Sequence, residues 1–284
     1  MTKFIAEVSS NHNRDLARCF EFIDAAARIG CDAVKFQLFK IDQLFAPQIL
    51  AKSETHRKRK DWELPTAFLP KLAQRSREQG IQFSCTPFYL DAVSELEPYV
   101  DFYKIASYEL LWDDLILACA RTGKPLILST GMATLHEIQH AVTLARDVGC
   151  KNLTLLHCIS GYPAPPQECN LAAIDTLRVA CDCPVGWSDH SVSHAVVQRA
   201  VQHWGAVVVE LHLDLEGEGE EFATGHCWLP AQIHDVIEAI KVGCSADGNG
   251  EKQPALSELS DRDWRADPSD GLRPLKRVRS DWEP

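Results

Sequence analysis

No stretch of this chain stays apolar for the roughly 20 residues that a membrane helix needs. The N-terminal MTKFIAEV also lacks the basic and apolar regions of a signal peptide. The expected location is therefore the cytoplasm, with no membrane partner. C-x-x-C is missing too, and Cys181 and Cys183 stand too close for zinc-knuckle spacing. Without a leader, the eleven cysteines read as reduced thiols, most of them small core residues such as Cys31, Cys119 and Cys150. Positive charge is scarce: the net charge of −11 offers no basic face for nucleic acid. The one basic run, HRKRK at 56–60, reads as a solvated loop. No G-x-G-x-x-G follows a strand, which weakens a dinucleotide-binding reading, and no low-complexity tract suggests disorder.

What is present is an alternation. Short apolar runs at 3–8, 32–38, 81–85, 101–106, 124–129, 152–157, 184–187 and 206–213 predict strands. Amphipathic patterns near 15–29, 65–79, 90–97, 113–122, 134–148, 170–180, 191–204 and 230–243 predict helices between them. Strand–helix units of this number and cadence, over about 245 residues, predict a (β/α)8 TIM barrel, with a doubly wound open sheet as the competing arrangement. Residues 1–245 are then one catalytic domain. Residues 246–284 lose periodicity and gain Gly, Pro and Asp, which predicts a short irregular tail packed on the barrel.

Side chains alternate faces along a strand, so one parity points into a barrel and the other towards its helices. With the apolar members facing the helices, the inward set is Glu7, Lys35, Gln37, Thr86, Lys104, Ser129, Cys158, Ser160, Ser188, His190, Glu210 and His212. Each strand thus delivers a polar residue towards its C-terminal end, where barrel enzymes carry their chemistry. So many converging charges would be costly without a ligand. Lys35 and Lys104, ringed by Thr86, Ser107, Ser129, Ser160 and Ser188, suit a small anion such as phosphate or carboxylate. A buried lysine can equally be a core ion pair or a Schiff-base nucleophile. His190 and His212 end adjacent strands, each near a carboxylate (Asp189, Glu210), and their imidazoles can share a divalent cation.

Several stretches in order, IAEVSSNHNRDLARCFEFIDAAARIGCDAVKFQLFK, CTPFYLDAV, DFYKIASYEL, LILSTGMATLHEI, LLHCISGYPAPPQECNL, VGWSDHS and VVELHLDL, resemble the N-acetylneuraminate (sialic acid) synthase family. The resemblance implies a carbohydrate-biosynthetic transferase that condenses phosphoenolpyruvate with N-acetylmannosamine or a related amino sugar. The products are a nonulosonic acid and phosphate. It also implies a homodimer and a divalent metal, Mn2+ or Mg2+, held by His190 and His212. Lys35 and Lys104, with Thr86, Ser107, Ser129, Ser160 and Ser188, would cradle phosphoenolpyruvate. Glu7 would sit beside the sugar and the attacking water, and Gln37, Phe88, Glu109 and Tyr162 would line the site.

The sequence departs from the family pattern in three places. It ends at residue 284, with no room for the C-terminal antifreeze-like domain that supplies an arginine to the sugar in family dimers. The family's PGPD segment reads EGEGEEFATGHCWLP, so an expected aspartate is replaced by Thr224 or Gly225, with His226 beside it. The asparagine-containing stretch after Glu109 reads LLWDD. The phosphoenolpyruvate and metal residues are thus kept better than the sugar-recognising ones. Two other readings compete: a Schiff-base aldolase using Lys35 or Lys104, and a non-catalytic paralogue that binds phosphoenolpyruvate or sugar.

Overall fold

Eight short strands pair in parallel: β1 (Lys3–Glu7), β2 (Ala33–Leu38), β3 (Gln82–Pro87), β4 (Tyr103–Ile105), β5 (Leu126–Ser129), β6 (Leu153–Cys158), β7 (Val185–Asp189) and β8 (Val208–His212). The structure, a computed structural model, describes residues 2–282. Hydrogen bonding runs in the order β3-β2-β1-β8-β7-β6-β5-β4, and a parallel bridge between Ser84 and Phe102 links the two end strands. The alternation therefore resolves into a (β/α)8 barrel and not an open sheet.

One principal helix follows each strand: α1 (Leu16–Arg28), α2 (Leu69–Glu78), α3 (Leu90–Leu96), α4 (Asp113–Arg121), α5 (Leu135–Asp147), α6 (Ala173–Cys181), α7 (His194–Gln202) and α8 (Pro230–Ala246). Their starts follow local chemistry. The Asp15 side chain accepts from the Ala17 amide at 2.8 Å to cap α1. Thr134 and Glu137 form a reciprocal capping box at α5.

Strand parity divides the apolar residues into two cores. The larger lies between strands and helices and includes Val34, Phe36, Leu128, Leu155, Trp187 and Leu211. The smaller, Ile5, Ala33, Phe102, Ile127, Leu156 and Val208, plugs the barrel interior near the strand starts. Two residues further along the same inward rows come Glu7, Lys35, Lys104, Ser129, Cys158 and Glu210, so the barrel turns from apolar to polar along its axis. At Gly186 a Cβ would collide with the Val208 carbonyl oxygen and lie 2.7 Å from Leu156 Cδ2, which explains why β7 carries glycine in its interior.

Between β2 and α2, where the periodicity shows no element, the chain forms short helices over Ile41–Leu44, Pro47–Lys52 and Glu54–Lys58 and a 3-10 turn over Arg59–Trp62. Pro47 occupies a first-turn position and Ser53 caps the His56 amide. The polypeptide divides into two compact units, Met1–Val242 and Gly243–Pro284. The second contains 3-10 segments over Leu256–Trp264 and Lys276–Trp282. Asp267 ties it together by accepting from Ser269 N and Oγ and from Lys276 N. The eleven cysteines are free thiols, all buried except Cys244. Among the described residues no helix is long and apolar enough to cross a membrane.

Candidate active site

A cavity of about 500 Å3 opens where the strands end, the face on which barrels place their chemistry. Fourteen of the residues expected there line it: Glu7, Lys35, Gln37, Thr86, Phe88, Lys104, Ser107, Glu109, Ser129, Tyr162, Ser188, His190, Glu210 and His212. Two do not. Asp189 points away, towards the helices, where its carboxylate accepts from both indole N–H groups of Trp187 and Trp228 and from Ser191 and Val192. The neighbouring strand residues Ser188 and His190 face the opposite way, so Asp189 anchors the strand end and leaves the cavity to them. Ser160 stands just beside the cavity wall, against Gly131.

Four buried charges form the floor. Lys35 Nζ pairs with Glu7, lies 3.6 Å from Glu210 Oε2, and donates to Thr86 Oγ1 at 3.2 Å. Lys104 Nζ donates to Glu210 Oε1 at 3.0 Å, and Ser188 Oγ donates to the same oxygen at 3.1 Å. Burial works against the charge on Glu210, but Lys104 and Lys35 hold its carboxyl well below the usual carboxylate range. Burial likewise opposes charge on Lys35, yet Glu210 and Glu7 raise its pKa. Glu7 also accepts from Gln37 Nε2 at 2.8 Å and from the Ser9 amide at 3.1 Å. Two cations and two anions cancel, so the lysines are not simply open to an incoming anion.

Beside this floor is a cradle of small groups. Ser107 Oγ accepts from the Gly131 amide at 3.0 Å and contacts Cys158 Sγ at 3.2 Å. A Cβ on Gly131 would run into Ser160 Oγ and lie 2.9 Å from both Ser107 Oγ and Cys158 Sγ. The Ser129 and Ser160 hydroxyl oxygens are buried without a hydrogen-bond partner. Orphaned hydroxyls next to a glycine that leaves room are what a bound oxyanion would satisfy.

The opposite wall is aromatic and imidazole-rich. Tyr162 packs on His190 and His226, with ring centroids 4.4 and 4.9 Å apart, and the His190 and His212 rings are 5.3 Å apart. His190 Nδ1 donates to the Ile159 carbonyl at 2.7 Å, which fixes its tautomer and leaves Nε2 with a lone pair. Burial, then the His212 ring, push its pKa down to about 3, so the imidazole is neutral.

Among the lining residues that the sequence reading did not assign to the site, Glu221, His226 and Arg59 are the carboxylate-, imidazole- and guanidinium-bearing ones. Glu221 and His226 join His212 and Cys227 in a group whose donor atoms all lie within 4.8 Å of one another. Arg59 comes from the basic run read as a solvated loop, but its guanidinium lies over the rings of Phe45 and Trp62, at 5.6 and 5.3 Å, and its Nε is buried without a partner. Loop residues have no parity to read. The only signals were an imidazole and acidic residues in the divergent EGEGEEFATGHCWLP stretch, and aromatics flanking the basic run.

Comparison with known proteins adds an independent line. A protein of Methanocaldococcus jannaschii is 37% identical over 264 residues, covering 90% of this chain and 75% of that protein. The N,N'-diacetyllegionaminic acid synthase of Legionella pneumophila is 34% identical over 278 residues, covering 91% of this chain and 77% of the synthase. The crystal structure of N-acetylneuraminic acid (sialic acid) synthetase from Leptospira borgpetersenii superposes with a TM-score of 0.80 at 30% identity, covering 92% of this chain and 90% of that one. Residues 22–252 match the NeuB family, and with a barrel whose strand ends carry this set of groups, the chain belongs to that family.

Proposed function

We propose that the protein condenses phosphoenolpyruvate with the open-chain aldehyde of an amino sugar, giving a nonulosonic acid and inorganic phosphate. The observation that carries this reading is the juxtaposition, in one cavity, of a hydroxyl-and-lysine cradle with an imidazole-rich wall. Lys35, Lys104 and the hydroxyls of Thr86, Ser107, Ser129 and Ser188 hold the phosphate and carboxylate of phosphoenolpyruvate. The imidazoles and the nearby carboxylate have the donor chemistry of a divalent-ion site, and such an ion, when bound, supplies Lewis-acid polarisation of the aldehyde oxygen. It also supplies positive charge that the balanced floor lacks.

C3 of phosphoenolpyruvate attacks the aldehyde carbon, the aldehyde C=O π bond opens to an alkoxide, and the new C–C bond leaves C2 electron-poor. Water adds at C2, its proton passing to that alkoxide, and the tetrahedral intermediate breaks its C2–O bond to phosphate, which leaves with the C2 hydroxyl proton, to give the 2-keto acid. Glu7, fixed by Gln37, Ser9 and Lys35, positions the water and the sugar hydroxyls. Arg59, between Phe45 and Trp62, presents a free N–H to a polar group of the acceptor. Relatives of this chain include an N,N'-diacetyllegionaminic acid synthase and an N-acetylneuraminic acid synthetase, which supports an acetamido sugar as the acceptor class. N-acetylmannosamine is the acceptor we favour, and manganese the ion.

A Schiff-base aldolase needs a neutral amine, and the ion pairs of Lys35 and Lys104 oppose one. The test is phosphate release from phosphoenolpyruvate across a panel of amino sugars, with and without EDTA. Turnover with at least one sugar, abolished by chelator and with no lysine trapped by borohydride, is the expected result. Phosphoenolpyruvate binding with no turnover on any sugar would replace it with the binding-protein reading. Arg59→Ala is expected to raise KM for the acceptor about tenfold while leaving that for phosphoenolpyruvate unchanged.

A further inference from the structure

The side of the cavity supplied by the end of β2 and the short helices behind it differs in character from the rest. Its lining there is apolar, with Phe39, Ile41, Leu44, Phe45 and Trp62, joined by Phe88 from just after β3. The Phe39 and Phe88 rings meet edge to face at 6.0 Å. Into this surface comes one charged group, the Arg59 guanidinium, 5.6 Å from the centre of the Phe45 ring and 5.3 Å from that of Trp62. Its Nε is buried without a hydrogen-bond partner. The segment is held in place by contacts outside the cavity: Arg14 donates to the Lys60 carbonyl at 3.3 Å, the Ile41 amide donates to Glu63 Oε1 at 2.8 Å, and the His56 ring packs edge-on against Phe45 at 4.7 Å. The rings and the guanidinium are therefore set before any ligand arrives.

We propose that Phe45, Arg59 and Trp62 form the subsite for the acylamino group of the acceptor, with Arg59 Nε–H donating to the amide carbonyl and the acyl methyl lying against the two rings. The proposal rests on the functional reading above in that the cavity takes an amino sugar, and it commits the free N–H of Arg59 to one group of that sugar. An acetamido group matches the surface in both respects, since it carries one strong acceptor next to a methyl that gains by leaving water. A hydroxyl could accept from Nε but would leave the rings facing a polar group. A free ammonium would be repelled by the guanidinium. An ionised phosphate or carboxylate would have to shed its water against apolar side chains, with a single guanidinium to compensate. The subsite therefore ranks substituents in the order acetamido, hydroxyl, ammonium. Arg59 and the two rings select the acceptor and take no part in bond making.

The test measures binding apart from turnover. The probes are the alditols of N-acetylmannosamine, mannosamine and mannose, which are open-chain but have no aldehyde to react. Each is titrated by calorimetry into the full chain with Mn2+ present. Wild type is expected to bind the acetamido alditol at least about tenfold more tightly than the hydroxyl one, and the amine most weakly. In Arg59→Met and in Trp62→Ala the acetamido preference is expected to fall to about threefold or less, with the affinity for phosphoenolpyruvate unchanged. The proposal is wrong if wild type does not bind the acetamido alditol or if both variants keep the full preference. A loss of phosphoenolpyruvate affinity in Arg59→Met would likewise overturn it, by moving Arg59 into the anion cradle. So would a wild-type preference for the alditol bearing a terminal phosphate in place of the acetamido group. A wild-type urea midpoint in each variant shows that the change is local, and should one variant fail to fold, the other decides alone. Lost preference in the variants beside a wild type that releases no phosphate on any sugar would sink the proposed reaction and leave this subsite standing. Turnover with the preference intact in both variants would do the reverse.

Discussion

Glu109 lies in the cavity with its Oε2 buried and without a hydrogen-bond partner. Burial pushes its pKa up to about 7, against the opposing pull of Lys104 and a backbone hydrogen bond. The folded chain therefore holds this proton more tightly than the unfolded one. The associated stability is fully present below the unfolded value of about 4.3 and is lost as pH rises through the folded value. Between about pH 5 and about pH 8, wild type is expected to lose on the order of 2–3 kcal/mol relative to Glu109→Gln. Urea unfolding of both proteins at the two pH values checks this, and parallel pH dependence would remove Glu109 as the cause. At this scale the sequence was most informative where a strand imposed a parity. Glu7, Lys35, Lys104 and His212 could be aimed inward from their neighbours alone, and they do line the cavity. Asp189 was misplaced because its nearness along the chain to His190 outweighed its opposite parity.

Among the elements, β7 shows how little room the barrel interior has. At Gly186 the obstacle to a side chain is the backbone carbonyl of Val208 on the neighbouring strand, which cannot rotate away as a side chain would. Gly186→Ala is expected to destabilise the protein by about 2–4 kcal/mol, read as a lower urea midpoint. An unchanged midpoint would mean that β7 and β8 can separate locally without cost. The eight strands and their helices were legible because each alternates or repeats over a full element. The short helices between β2 and α2 were not, since segments of four to six residues are too brief for a period to show. They nevertheless set the site, because they bring Phe45, Arg59 and Trp62 to the cavity wall.

For the molecule as a whole, an enzyme that forms a carbon–carbon bond gathers buried charges that no isolated element could hold. The chain carries a net charge of −11, yet its cavity concentrates two lysines, an arginine and three histidines. Ligands that complete this set should stabilise the fold. Mn2+ with phosphoenolpyruvate at about 100 times its Kd is expected to add about 2.7 kcal/mol, which raises Tm by roughly 5–10 °C. Phosphoenolpyruvate with EDTA should give a clearly smaller rise, and equal rises would detach the anion site from the cation. The scan needs only the unmodified protein and tests binding separately from turnover.

The amino-acid order by itself determined the barrel and the inward row of strand-end groups, because strand alternation and helical repeat are local properties of the backbone. Only the tertiary structure decided which charges neutralise one another and which loops close the mouth. Lys104 meets Glu210 across 106 positions, and Arg59 reaches the cavity through helices with no readable period. Such distances are set by how the ring closes, and no window along the chain contains that closure.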